Sequence, residues 1–135
     1  MPNITIDTAE ELQFLDITQQ VQAALPIADG AVLVYSLHTT LCIIINEYEE
    51  LLLKDMRAFL QRLSPAGQYE HDKIHLRNCP PDEPENAKSH LQCMLMPVSQ
   101  IIPVVKGKLQ LGTYQRIIAV ETSGPRKRTI VVQGL

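Results

Sequence analysis

The chain has 135 residues, 45% of them hydrophobic, a formal charge of -3 and no tryptophan. That length fits one domain able to bury a core without a disulfide or structural metal, and the weakly acidic, aromatic-poor composition excludes a basic or stacking surface for nucleic acid. Cys42, Cys79 and Cys93 have no C-x-x-C spacing, polar "PNITIDTAEE" follows Met1, and no apolar run approaches bilayer length, so the expectation is a reduced, cytoplasmic protein without membrane insertion.

Ile4 and Ile6 alternate in "NITID" and "LQFLDI" follows, which predicts two short opening strands. Thr18 stands where it would cap a short helix carrying Val21, Ala24 and Leu25, ended by Pro26 and the turn-forming "ADG". "AVLVYSL" and "LCIII" are rich in Val and Ile and too short for helices. They predict strands covered on both faces, interrupted by Ser36, His38, Thr39 and Thr40.

Asn46, with Glu49 three residues on, predicts a capped helix start, and Glu47 and Glu50 place negative charge at the favourable end of the helix dipole. The inward stripe of this helix would be Tyr48, Leu52, Met56, Phe59, Leu60 and Leu63, with "SPAG" ending it. Residues 64–85 lack periodicity and hold His71, Asp72 and His75; loops this long in compact domains are functional or disordered. "NAKSHLQCMLM" predicts a second helix with Ala87, Leu91, Met94 and Leu95 toward the core, Asn86 and His90 on one face, and Pro97 closing it. "IIPVV", "KLQLGTYQRIIAVE" and "RKRTIVVQ" read as strands, with "TSGP" as the turn of a final hairpin. The pattern predicts a single α+β domain over residues 1–135, with a mixed or antiparallel sheet and two main helices.

Several polar residues could carry chemistry. His38, His71 and His90 come from a strand end, a long loop and an early helix turn; converging, they could hold a zinc-like ion, whereas magnesium would prefer oxygens such as Glu47, Asp72 or Asp82. The alternative is a hydrogen-bonded core His38 and a loop His71. Ser36, Thr39 and Thr40 could hold a phosphate or satisfy backbone at the strand break. Glu47 could be a carboxylate for catalysis or metal, or simply helix-start charge; Asn86 is in an N-cap position. Arg126 leaves the rigid "SGP" turn and could grip phosphate in a bidentate manner, or edge a solvated strand. Cys42 and Cys93 read as buried filler.

Taken in order, "SLHTTLCIIINE", "YEHD", "ENAKSHL", "IIPVVKGKLQLGTYQ" and "ETSGPRKRTIVVQ" resemble the YjbQ family, over nearly the whole chain from Ile4. His38, Thr39, Thr40, Asn46, Glu47, His71, Asn86, His90, Gly112, Gln115, Gly124 and Arg126 stand at that family's marked positions. The resemblance implies a homotrimer with a site near a subunit boundary. It also implies a thiamine-phosphate synthase type of transferase, joining hydroxymethylpyrimidine pyrophosphate to thiazole phosphate with release of pyrophosphate. In that reading His38, Glu47 and His90 serve catalysis, Thr39, Thr40, Asn86, Gln115 and Arg126 bind the phosphorylated substrate, and His38, His71 and His90 hold a divalent ion, zinc or magnesium. Tyr114 replaces a usual Trp, Ser123 an Asp and Gln100 a Glu. These departures keep open a trimeric metal- or phosphometabolite-binding protein without efficient turnover, or a metal-assisted hydrolase.

Overall fold

The computed structural model describes residues 3–135. Among the described residues, eight strands form two antiparallel sheets. The larger has the order β1 (Asn3–Asp7), β8 (Lys127–Gly134), β3 (Gly30–Ser36), β5 (Ser99–Val105) and β6 (Lys108–Leu109). The smaller places β7 (Arg116–Glu121) between β2 (Gln13–Asp16) and β4 (Leu41–Asn46). Helices α1 (Thr18–Ala23), α2 (Glu50–Leu63) and α3 (Ala87–Cys93) complete the α+β fold, and the 64–85 connection carries only two 3-10 turns, Glu70–Asp72 and Ile74–Leu76.

The sequence pattern explains the layering. One apolar cluster lies between the sheets, with Val32, Val34, Ile43, Ile117, Ile130 and Val132 at its centre. A second, with Phe14, Cys42, Leu60, Ile118 and Val120, lies between the small sheet and the helices. The small sheet is therefore the middle layer, and β7, which reads as an unbroken apolar run, is buried on both faces. Each fully buried Ile contributes about 2 kcal/mol by leaving water.

Several expectations change on contact with this architecture. β3 alternates buried Val32 and Val34 with an exposed Tyr35, so it is covered on one face only. Asn46 ends β4 instead of starting a helix; Glu49 is the cap of α2, its carboxylate accepting from the Leu51 and Leu52 N–H groups at 2.7 and 2.9 Å. The inward face of α2 is rotated to Leu53, Met56 and Leu60, leaving Tyr48, Phe59 and Leu63 exposed. In α3 the buried residues are Ala87, Ser89 and Gln92, while Leu91, Met94 and Leu95 face outward. Thr18 does not cap α1; Asp16 accepts from its N–H and hydroxyl. "TSGP" is no hairpin turn, because β7 and β8 lie in different sheets.

That last correction exposes the organising feature. Residues 8–12, 37–40 and 122–126 are all corners where the chain passes from one sheet to the other, and strand register brings them to the same end of the molecule. They are bonded to one another: Thr8 N–H to Arg126 O at 2.8 Å, Thr122 N–H to Thr40 O at 3.1 Å, and Gly124 N–H to Glu11 O at 3.2 Å. A Cβ at Gly124 would overlap the Glu10 carbonyl and crowd Thr8 Oγ1, so glycine is required where these corners close.

Candidate functional site

The polar interruption at 36–40 is one of these corners. Ser36 Oγ accepts from the His38 N–H at 3.2 Å and fixes the bend, a structural task. The His38 ring turns back over the large sheet, its Nε2 accepting from the Thr129 N–H at 2.9 Å. That bond fixes the tautomer, leaving the proton on Nδ1. Thr40 is buried, its Oγ1 accepting from Arg128 at 2.8 Å, whereas Thr39 is exposed.

Behind the corner sits a buried ion pair that sequence reading missed. Arg128 Nη2 lies 2.6 Å from Glu121 Oε2, and Nε donates to the same carboxylate at 2.8 Å. Glu121 is 0% exposed and Arg128 4%. Thr8 Oγ1 donates to Glu121 at 2.8 Å, so each of the three corners contributes to one network. Alternation in "ETSGPRKRTI" does place Arg128 on the inward face with Ile130; the preceding basic residues masked that signal.

A cleft of about 480 Å³ opens beside this network, with His38 and Thr39 on one wall, His90 and Met94 on the other, and Cys42 and Cys93 between them. His90 also lines a smaller depression shared with His71, whose ring meets it edge-on at a centroid separation of 4.8 Å. Burial and the Arg128 charge push the His38 imidazole below its ordinary pKa, with Glu121 opposing and Arg126 adding to the depression. Burial, then the neighbouring His71 and Arg77, lower His90 in the same way. Both rings are neutral near pH 7, in a field of guanidinium groups.

His38 and His90 thus share a cleft, and His71 touches His90. Yet among the described residues no three His, Cys, Asp or Glu side chains are gathered to hold a metal ion. With His38 Nε2 already accepting a backbone bond, the trio does not fit a three-histidine metal centre within one chain. Asp72, an oxygen ligand in the sequence reading, instead accepts from the Ala87 N–H at 3.0 Å and so caps α3; Asn86 occupies the cap position without making that bond. Arg126 is exposed at the corner, its Nε donating to Ser123 O at 2.9 Å, with the rest of its guanidinium facing solvent.

The remaining candidates lie elsewhere. Asn46 and Glu47 follow the far end of β4, roughly 20 Å from Thr40 at the rise of a strand. Gln115 is at that same end, its Oε1 accepting from the Gly112 N–H at 2.8 Å and holding a turn. Gln100 lies outside the cleft and donates to Ile43 O at 3.0 Å, binding β5 to β4. Within one chain, the sequence-predicted set therefore divides into two groups.

Residues 2–135 match the sequence model of the family described as UPF0047 protein YjbQ-like. A UPF0047 protein of Archaeoglobus fulgidus is 41% identical over 133 residues, covering 98% of each chain. YugU, a UPF0047 protein of Bacillus subtilis, is 33% identical, covering 98% of this chain and 97% of its own. Among solved structures, a protein of the YjbQ/UPF0047 family from Clostridium acetobutylicum superposes with a TM-score of 0.86 at 32% identity over 100% of both chains. A hypothetical protein from Aeropyrum pernix superposes with a TM-score of 0.87 at 36% identity, covering 99% of this chain and 96% of that one.

Proposed function

This chain belongs to the YjbQ-like UPF0047 family, and we propose that its corner cleft binds a small phosphorylated metabolite and serves a transferase reaction of the thiamine-phosphate synthase type. The observation that carries this reading is the pairing of two neutral imidazoles, His38 and His90, on one cleft, with the exposed guanidinium of Arg126, outside the cleft lining, near enough to act on the His38 ring. In that reaction the thiazole nitrogen attacks the pyrimidine methylene carbon; the C–O bond to pyrophosphate breaks as the C–N bond forms. The protein's task is to hold the leaving group and spread its charge.

Arg126 suits the pyrophosphate through paired N–H donors. The exposed Thr39 hydroxyl orients an oxygen, and neutral His90 can offer a ring N–H without itself carrying charge. The apolar wall at Met94 and Val98 accepts a heteroaromatic ring. A divalent cation brought in with the pyrophosphate would help neutralise its charge, although the described histidines of one chain form no triad for it.

The second reading, binding without efficient turnover, is favoured by the position of Glu47 at the opposite end of β4. The homotrimer belongs to the proposal for that reason: Glu47 and Gln115 would have to come to the cleft from another copy. The exposed Met94, 76% accessible, and Leu95, 66%, supply apolar surface for such an assembly. The test is thiamine phosphate formation by purified protein from the two substrates with added magnesium or zinc, alongside His90→Ala. Product that falls about 100-fold in the variant supports the transferase. No product, with pyrophosphate binding that weakens in Arg126→Ala, supports the binder.

A further inference from the structure

The floor of the cleft contains chemistry that the proposed transfer does not use. Cys42, the second residue of β4, and Cys93, the last of α3, approach from different layers of the fold. Cys42 Sγ lies 4.0 Å from the Cys93 carbonyl oxygen, both residues line the same cleft, and the two thiols are close enough to shift each other's pKa. Cys93 Sγ is also 3.4 Å from Thr122 Oγ1, whose hydroxyl donates to Thr40 O at 2.7 Å, so Thr122 is a second polar partner of that sulfur. Both cysteines line the cleft shared by His38 and His90, whereas Cys79 lines a separate depression on the 64–85 loop.

The pair is asymmetric. Cys42 is only 3% exposed, while Cys93 is the half-buried, more accessible member. The hydrogen bond from Cys42 draws the Cys93 thiol below its ordinary value, against the effect of burial, and Thr122 assists. That same bond, with burial, pushes the Cys42 thiol up. One sulfur is thus prepared to attack and the other to wait.

We propose that Cys93 and Cys42 form a reversible dithiol–disulfide pair in the cleft floor, with Cys93 attacking and Cys42 resolving, which exchanges with small organic disulfides. Cys93 thiolate attacks one sulfur of the reagent; a mixed disulfide forms and one small thiolate leaves. Cys42 then loses its proton, attacks Cys93 Sγ and expels the second small thiol. The protein dithiol is oxidised by two electrons and the reagent is reduced to two thiols. The resulting bond ties β4 to α3 one helical turn below His90, so the redox state of the pair would alter the cleft wall that carries that ring. The inference rests on the placement of the two sulfurs and stands independently of which substrate the cleft takes.

The experiment incubates the full-length protein, natively folded, with excess oxidised glutathione, followed by acid quenching, alkylation and peptide mapping. A linked peptide pair containing Cys42 and Cys93, lost on return to reduced glutathione, is the expected result. Cys42→Ala should stop at a glutathione adduct on Cys93, and in Cys93→Ser the reaction of Cys42 should slow by at least about tenfold. The wild-type map decides the matter even where a variant fails to fold. Modification confined to Cys79, or no linkage between Cys42 and Cys93, overturns the proposal, as does undiminished glutathione uptake by Cys42 in folded Cys93→Ser.

Discussion

The Glu121 carboxylate and the Arg128 guanidinium meet across the junction of the two sheets, Nη2 2.6 Å from Oε2, with Thr8 and Thr40 completing the set of partners. An ion pair this dry repays its desolvation only while both charges are present. Glu121→Gln should therefore destabilise the protein by about 3 to 5 kcal/mol by leaving Arg128 buried and uncompensated. Chemical denaturation of wild type and variant measures this; a loss below about 1 kcal/mol would contradict the bridging role.

His38 accepts from the Thr129 N–H, so His38→Ala should cost about 1 to 2 kcal/mol by orphaning that donor, with His38→Gln recovering part of the loss through its amide oxygen. The pH dependence follows from the depressed pKa values of His38 and His90. A group lowered in the fold gives its full stabilisation above the unfolded value, 6.5 here, and loses it as pH falls through the folded value. Denaturation midpoints should therefore drop on moving from about pH 7.5 to about pH 5. The double variant His38→Gln/His90→Gln should flatten that slope.

At the opposite end of the small sheet, burial alone would raise the Asp16 carboxyl, but hydrogen bonds from Thr18 and Arg116 hold it below its ordinary value of 3.8. Its contribution is present above that value and disappears as pH falls through the lower, folded one. Asp16→Asn should leave a shallower acid-unfolding profile below about pH 4. Urea titrations across that range provide the comparison.

Gly124→Ala should destabilise by about 2 kcal/mol or more, because the added methyl meets the backbone of Glu10 and the Thr8 hydroxyl in the closed corner. Gly107, whose position leaves open space around an added Cβ, is the contrasting site: there the penalty arises only from its positive φ of 76°. Thermal unfolding of the two alanine variants separates the steric from the conformational effect.

Assembly is checked by light scattering, where three copies are the expected state. Met94→Glu, on the outward side of α3, should shift the protein toward smaller species while leaving its circular dichroism unchanged.

The elements were readable where periodicity reports burial directly. The strands at Ile4 and Ile6 and at 117–120 appear where the apolar pattern puts them, and helices α2 and α3 lie within the predicted segments though with other faces inward. What the pattern could not reveal was partnership between layers. The α3 leucines follow a helical period whether they face a core or the outside, and only Ser89 and Gln92, bonded inward to Thr122 O and Leu60 O, tell which side is which. "TSGP" looks like a hairpin because adjacent strands usually pair; instead β7 and β8 part into different sheets at a corner beside the buried Glu121, whose partners Thr8 and Arg128 local sequence does not reveal. In the candidate site, the expected convergence is met only pairwise, His38 with His90 on one cleft and His71 against His90, and the distance of Glu47 and Gln115 from that cleft was hidden because distance along β4 emerges only once its register with β7 is known.

Helix α3 is fastened by hydroxyl and amide groups, with its greasy side turned away from the middle layer. With few buried apolar side chains of its own, the segment should open locally at a lower free energy than β7, which is buried on both faces. Amide protons of residues 87–93 should then exchange through a low-energy opening that the central strand never joins. A molecule captured beside His90 would announce itself first as a slowing of that exchange, well before any change in the melting of the whole.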